Sequence, residues 1–171
     1  MEITQDHAQY FTATVNNWKH VLKSDDAKQI IVDSLSFLHH QQRAFIYGFV
    51  IMSNHIHLIW QIRDGHILKD VQRDFLKFTA QKIKFLLQET NPELLAELEV
   101  NLADRKYQIW QRSPLNVPVY SPEVFQQKLD YIHNNPVKAE LCNEPTEYHY
   151  SSARFYFDGD SYFDFLSHHD G

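Results

Sequence analysis

His55 and His57 are separated by one apolar residue, Ile56. In an extended chain, residues two apart project from the same face. The spacing therefore sets two imidazoles side by side while Ile56 points into a core. Such a pair can bind one divalent ion. Imidazole suits zinc, manganese, iron, nickel and copper, and tolerates magnesium less readily. By spacing alone, the two could equally be ordinary strand histidines facing solvent. A second constellation lies in Asp130-Tyr-Ile-His-Asn-Asn-Pro136. Tyr131 and Asn135 are four apart and share a helix face. A phenol with a reference pKa near 10 is a weak nucleophile, and needs an activated substrate or a neighbouring base. Asn135 offers an amide oxygen that could complete a metal site. The plainer reading is a packing tyrosine beside a helix-stop signal, and nine tyrosines make no single one distinctive by type. Tyr120, just before a helix start, competes for the same role. A third feature is basic. Lys69, Arg73 and Lys77 recur every four residues, and Lys84 lies seven beyond Lys77. Such a ridge can follow a nucleic-acid backbone through phosphate contacts. Asp70 and Asp74 dilute it, and a solvated helix face fits equally.

The elements that must position these groups follow from periodicity. Residues 10–15 alternate and carry β-branched and aromatic types, which predicts a strand. Ser24 is an N-cap with Asp25 and Asp26 in the first turn, and Ala27, Ile30, Ile31, Leu35 and Leu38 then repeat at helical spacing. Residues 44–51 are apolar on both parities, as in a strand buried on both faces. After a turn at Ser53-Asn54, residues 55–62 alternate, which predicts a hairpin with the preceding strand. Residues 66–89 form a long amphipathic helix ended by Asn91-Pro92. A short acidic helix over 92–100 and a strand over 106–110 follow. Ser121-Pro122-Glu123 starts a helix, anchored by Phe125, Leu129 and Ile132 and expected to stop near Asn134, ahead of Pro136. The aromatic, acidic stretch after Cys142 resists assignment.

The order strand, helix, strand, strand, helix, strand is the split βαβ, ferredoxin-like arrangement. It predicts an α+β fold with an antiparallel sheet, helices on one face, and an additional C-terminal helix carrying Tyr131. A chain of 171 residues fits one domain, 1–171, with a core over about 10–156 and a tail over 157–171. Only four glycines are present, which leaves little room for a glycine-rich phosphate loop. The lone Cys142 cannot form an intrachain disulfide and favours a reducing compartment. The N-terminus lacks the apolar core of a leader, and no apolar run approaches a membrane span. A cytoplasmic protein with no membrane partner is the expectation. The net charge of −6 argues mildly against nucleic-acid binding, but its distribution decides more than its sum.

Several segments together resemble a known family. VIMSNHIHLIW (50–60) is similar to the histidine motif of HUH single-tyrosine transposases, and RDFLKFTAQKI (73–83) to the helix that follows it. IWQ (109–111), LDYIHNNPVKAEL (129–141) and YSSARFY (150–156) resemble the rest of the REP-associated tyrosine transposase pattern, in order. The resemblance implies that His55 and His57 are metal ligands for Mg2+ or Mn2+ and that Tyr131 is the nucleophile. It implies a third ligand four residues after the tyrosine, where relatives carry glutamine and this chain carries the shorter Asn135. It implies cleavage and transfer of single-stranded or hairpin (REP-like) DNA through a covalent 5′-phosphotyrosine, by a monomer or a homodimer. Lys69, Arg73, Lys77 and Lys84 are then the expected DNA contacts. The main alternative is a non-catalytic ferredoxin-like nucleic-acid-binding protein derived from a transposase. Such a protein would have no need of His55, His57 and Tyr131 together. A metal-binding regulator is a further rival, and a histidine-triad hydrolase is disfavoured because position 59 is Ile59.

Overall fold

A computed structural model describes residues 6–169. Residues 1–5, part of the N-terminus read above as lacking a leader, and the last two residues of the tail lie outside the described residues. The element order is β1 (Ala8–Thr14), α1 (Asp25–His40), β2 (Ala44–Ile51), β3 (His55–Ile62), α2 (Leu68–Thr90), α3 (Pro92–Ala96), β4 (Glu99–Leu102), β5 (Arg105–Tyr107), β6 (Leu115–Val119), α4 (Pro122–Lys138) and α5 (Ala153–Phe157). The main sheet has the order β2-β3-β1-β6, and every neighbouring pair is antiparallel. This is the expected α+β arrangement, with the histidine strand β3 and strand β1 at the centre.

The two faces of the sheet bury two apolar layers. On one face, Phe11, Ala13, Ile56, Leu58 and Trp60 pack against residues such as Leu35 of α1 and Val71, Phe75 and Ile83 of α2. On the other, Tyr10, Val50 and Ile59 meet Phe125, Leu129 and Ile132 of α4. The helix carrying Tyr131 thus covers the face opposite α1 and α2, held by the expected stripe. Gly48 on β2 permits the approach, since a Cβ there would lie 2.8 Å from Cδ1 of Leu129.

Three expectations change. The strand predicted over 106–110 is not the fourth strand of the main sheet. Only Arg105–Tyr107 is extended there, and it pairs with β4 in a separate two-stranded ribbon. That local hairpin closes a very short loop at little entropic cost, while Trp110 turns inward and donates from Nε1 to Oγ1 of Thr79 on α2 (3.0 Å). The fourth strand is β6, a segment to which the sequence reading gave no element and whose Pro118 disfavours a strand reading. On an edge strand the missing N–H can face away from the ladder. The short helix ends at Ala96 rather than Val100, because Glu99 and Val100 enter β4. Finally, α4 runs through Pro136 to Lys138. It ends in a Schellman motif, with Leu141 N–H donating to Pro136 O and Glu140 N–H to Val137 O (both 3.0 Å), and Glu140 in the left-handed region at φ 59°.

The unassigned C-terminal stretch protects the outer edge of β2. Ile51 N–H donates to Tyr150 O (2.9 Å), Ser152 N–H to Phe49 O (3.0 Å) and Ser167 N–H to Ile46 O (2.9 Å). Tyr148 Oη donates to Ile51 O (2.6 Å). The segment satisfies backbone groups that an open edge would leave unpaired. No helix among the described residues is long and apolar enough to cross a membrane.

Candidate active site

His55 and His57 project from β3 toward the α4 face, with ring centroids 4.8 Å apart. Asn54 Oδ1 lies 2.7 Å from His55 Nδ1. An amide oxygen only accepts, so Nδ1 carries the proton and Nε2 presents its lone pair. On the neighbouring strand β1, Thr12 Oγ1 and Tyr10 Oη approach His57 Nδ1 at 2.7 and 3.0 Å. His57 Nε2 is buried and has no hydrogen-bond partner among the described residues. Burial pushes the His57 pKa down to about 3, helped by His55 and by the charge of Lys128. Burial also lowers that of His55. Both rings are therefore neutral near pH 7, the form in which imidazole binds a metal. Two neutral imidazoles, one tautomer set by Asn54 and one orphaned buried nitrogen fit a divalent cation. Among the described residues no group of three or more His, Cys, Asp or Glu side chains is placed to hold a metal ion. Further ligands would have to be amide, water or phosphate oxygens.

Tyr131 stands over this pair. Its ring meets that of His57 edge to face, with centroids 5.5 Å apart. The residue is 47% exposed. Lys138 Nζ lies 5.7 Å from the Tyr131 ring centroid, and Lys128 Nζ lies 4.8 Å from that of Tyr10. Lys128, Tyr131, Asn135 and Lys138 follow one another at helical spacings of three, four and three, which defines one stripe of α4. Asn135 is half-buried there. Tyr120 is elsewhere. It packs on His7 at 4.8 Å, at the far end of β1 from Thr12, roughly 16 Å away at strand rise.

Two devices fix α4. Ser121 Oγ accepts from Val124 N–H (3.2 Å) and caps its start. Deeper in, His133 Nε2 lies 2.8 Å from Ser152 Oγ, which itself accepts from Phe49 N–H of β2 (3.0 Å). Burial holds the His133 pKa at about 4, so a neutral imidazole ties helix, strand and C-terminal segment together.

The basic residues of α2 lie on the other side of the sheet from the histidines. Arg73, Lys77 and Lys84 line a groove of about 710 Å³, whose opposite wall carries Arg105, Arg112 and Asp104. Lys69 is exposed but does not line it. Arg73 is engaged by Asp70 and Asp74 (3.1 and 3.2 Å) and Arg105 by Asp104 (2.8 Å). Lys77, Lys84 and Arg112 have no ion-pair partner among the described residues. The groove reaches the histidine end of the sheet. Gln111 N–H donates to Thr14 O (2.8 Å), and Thr14 is paired with His55, so two strand spacings, about 10 Å, separate Gln111 from His55.

Of the residues expected from the sequence, the structure brings His55, His57 and Tyr131 together, sets Asn135 one turn beyond Tyr131 on the same helix, and surrounds them with groups the sequence did not single out. Tyr10 and Thr12 are two apart on a strand, the same signal that marked the histidines, but only strand pairing brings them to His57. Lys128 lies three residues before Tyr131 and was legible as a helix neighbour. Asn54 reads as a turn residue and also sets a tautomer.

No protein-family model and no curated protein matches the chain. Solved structures do. A REP-associated tyrosine transposase bound to a REP hairpin superposes with a TM-score of 0.68 at 17% identity, over 90% of this chain and 81% of that one. A Deinococcus radiodurans R1 protein assigned as a transposase gives 0.51 at 15% identity, over 78% and 97%. The chain has the α+β fold seen in these transposases.

Proposed function

We propose that the chain is a single-tyrosine DNA strand transferase of the HUH class, related to the REP-associated tyrosine transposases, acting on single-stranded or hairpin DNA. The observation that carries the reading is the seating of Tyr131 on His57, with an exposed tyrosine beside two neutral imidazoles on one sheet face. The transposase fold supports it. A Mg2+ or Mn2+ ion on His55 and His57, with Asn135 as an additional oxygen donor, would supply Lewis-acid polarisation of a phosphate oxygen. The chain's own groups do the rest. Tyr131 Oη forms a bond to phosphorus as its proton passes to solvent water. The P–O3′ bond breaks, and the departing 3′-oxygen takes up a proton. The 5′-phosphotyrosine retains the energy of the phosphodiester and is rejoined to a second strand without a nucleotide cofactor. Lys138, over the Tyr131 ring, and Lys128, over the Tyr10 ring beside His57, bring positive charge to the site and favour the approach of a phosphate. Arg73, Lys77 and Lys84 hold the DNA beyond the cut.

The test is incubation with labelled hairpin DNA carrying a single-stranded flank, in the presence of Mn2+, followed by denaturing electrophoresis. A protein–DNA band is expected that disappears with excess chelator and in His55→Ala and His57→Ala. A band that persists in both variants removes the metal pair from the reaction. No band under any metal favours a binding protein without strand-cutting chemistry.

A further inference from the structure

The chain has three tryptophans. Trp60 and Trp110 are buried at 0% and 7% exposure, whereas Trp18 is 58% exposed. Trp18 ends a short 3-10 turn, Asn16–Trp18, in which Asn17 and Trp18 both lie in the left-handed region, at φ 56° and 55°. A bulky side chain rarely adopts that backbone conformation. Glycine would make the same turn with less strain, and the exposed ring adds little to the core.

The turn is nevertheless held on all sides. Trp18 N–H donates to Val15 O (2.9 Å), Asn16 N–H to Ile109 O (2.7 Å) and Val15 N–H to Asn54 O (2.9 Å). Just beyond, Lys19 pairs with Glu97 (3.1 Å) and His20 Nδ1 meets Ser53 Oγ at 2.7 Å. The result is a fixed, solvent-facing indole next to the histidine pair, its ring 6.3 Å from that of His55 and edge to face with it. The turn also touches Ile109, which lines the basic groove. It therefore stands between the groove's end and the histidines.

We propose that Trp18 is a stacking platform for an unpaired nucleobase adjacent to the phosphate that Tyr131 attacks. The proposal rests on the reading of the site as a DNA strand-transfer centre. A flat aromatic face recognises any base without hydrogen-bond readout. Bound there, the base fixes the sugar–phosphate beside His55 and selects a single-stranded substrate over a paired one, because bases within a duplex are already stacked. Strain concentrated at a functional residue is the expected pattern when the conformation serves a ligand.

The burial of Trp60 and Trp110 makes the test direct, because solvent-sensitive tryptophan emission comes from Trp18. The protein is titrated, without metal, with a DNA hairpin bearing a single-stranded flank and with the same hairpin made blunt. Binding is followed by anisotropy of a dye on the DNA and, separately, by tryptophan emission. The flanked hairpin should quench emission and the blunt one should not. Trp18→Ala should abolish the quench and weaken binding of the flanked hairpin about 10- to 100-fold, the loss of one stacked base. Trp18→Tyr should restore most of the affinity. Binding of the flanked hairpin with unchanged emission, or with equal affinity in Trp18→Ala, overturns the stacking role and leaves the DNA-processing reading intact. Failure of the wild-type chain to bind either hairpin overturns both.

Discussion

Replacing Thr12 by valine tests how the site prepares His57. A metal bound through His57 Nε2 requires the proton on Nδ1, and Nδ1–H then needs an acceptor. Thr12 Oγ1 at 2.7 Å is the nearer of two, and Tyr10 Oη at 3.0 Å the other. Valine keeps the shape and removes the acceptor. Tyr10 still serves the nitrogen, so the fold should lose no more than about 1 kcal/mol, one net hydrogen bond. The metal should feel more, because partners that orient a ligating histidine are worth about 10- to 100-fold in affinity, or roughly 1.4 to 2.7 kcal/mol. Tyr10→Phe should cost less than Thr12→Val. The double variant should exceed the sum of the two, because it leaves Nδ1 with no partner in a buried site. Calorimetric titration with Mn2+, paired with thermal melting of the apoprotein, separates the two effects. Unchanged Mn2+ affinity in the double variant, with an intact fold, would refute the assignment of Nε2 as the ligating atom.

Other consequences follow from the same geometry. Gly48→Ala places a methyl 2.8 Å from Leu129 Cδ1. It should destabilise the protein by about 1–3 kcal/mol through overpacking and slow adduct formation more than DNA binding, since α4 carries Tyr131. Equal effects on both steps would argue against a displaced helix. Burial depresses the His133 pKa to about 4, so its contribution to stability is present above the unfolded value near 6.5 and is lost as pH falls through about 4. At 1.36 kcal/mol per unit that contribution reaches roughly 3 kcal/mol. His133→Asn should shorten the acid limb of a urea-stability profile without abolishing it, because His57, at about 3, titrates in the same direction. An identical limb in the variant would assign His133 no share. Lys77→Gln, Lys84→Gln and Arg112→Gln together should lower the slope of log K against log salt for single-stranded DNA by about two, at roughly 0.7 per contact. Lys69→Gln should leave it alone. A triple variant with the wild-type slope would make the groove an ordinary solvated surface.

Most of the sheet was legible because its strands carry strong period-two or doubly apolar patterns, and α1, α2 and α4 announce themselves by their apolar stripes, α1 and α4 also by a serine cap. Ser24 and Ser121 both accept from the third residue of their helices, Ala27 and Val124, as their types predict. The fourth strand was hidden by Pro118, a signal that depends on whether a strand lies at an edge, which is a tertiary fact. Pro136 misled in the same way. It reads as a stop, but the true stop is the left-handed Glu140, a conformation its side chain does not advertise. In the site, His55 and His57 were visible because strand spacing is local, and Tyr131 was singled out by motif. Tyr10 and Thr12 reach His57 only through the pairing of β1 with β3, and Trp18 owes its place to a turn with two left-handed residues. The strand spacing of Tyr10 and Thr12 is local, but their meeting with His57 is not, and Trp18 has no local signature. The basic residues were visible on α2, but their second wall comes from residues 104–114, which only tertiary folding brings against α2.

Locating the DNA on the protein decides whether Tyr131 is the nucleophile. Wild-type chain incubated with flanked hairpin DNA and Mn2+ should yield a covalent adduct whose tryptic peptide carries the phosphonucleotide on Tyr131. Tyr131→Phe should lose the adduct while keeping its fold, its metal binding and its affinity for DNA. An adduct mapped to Tyr120, or one still formed by Tyr131→Phe, would remove Tyr131 from the role of nucleophile.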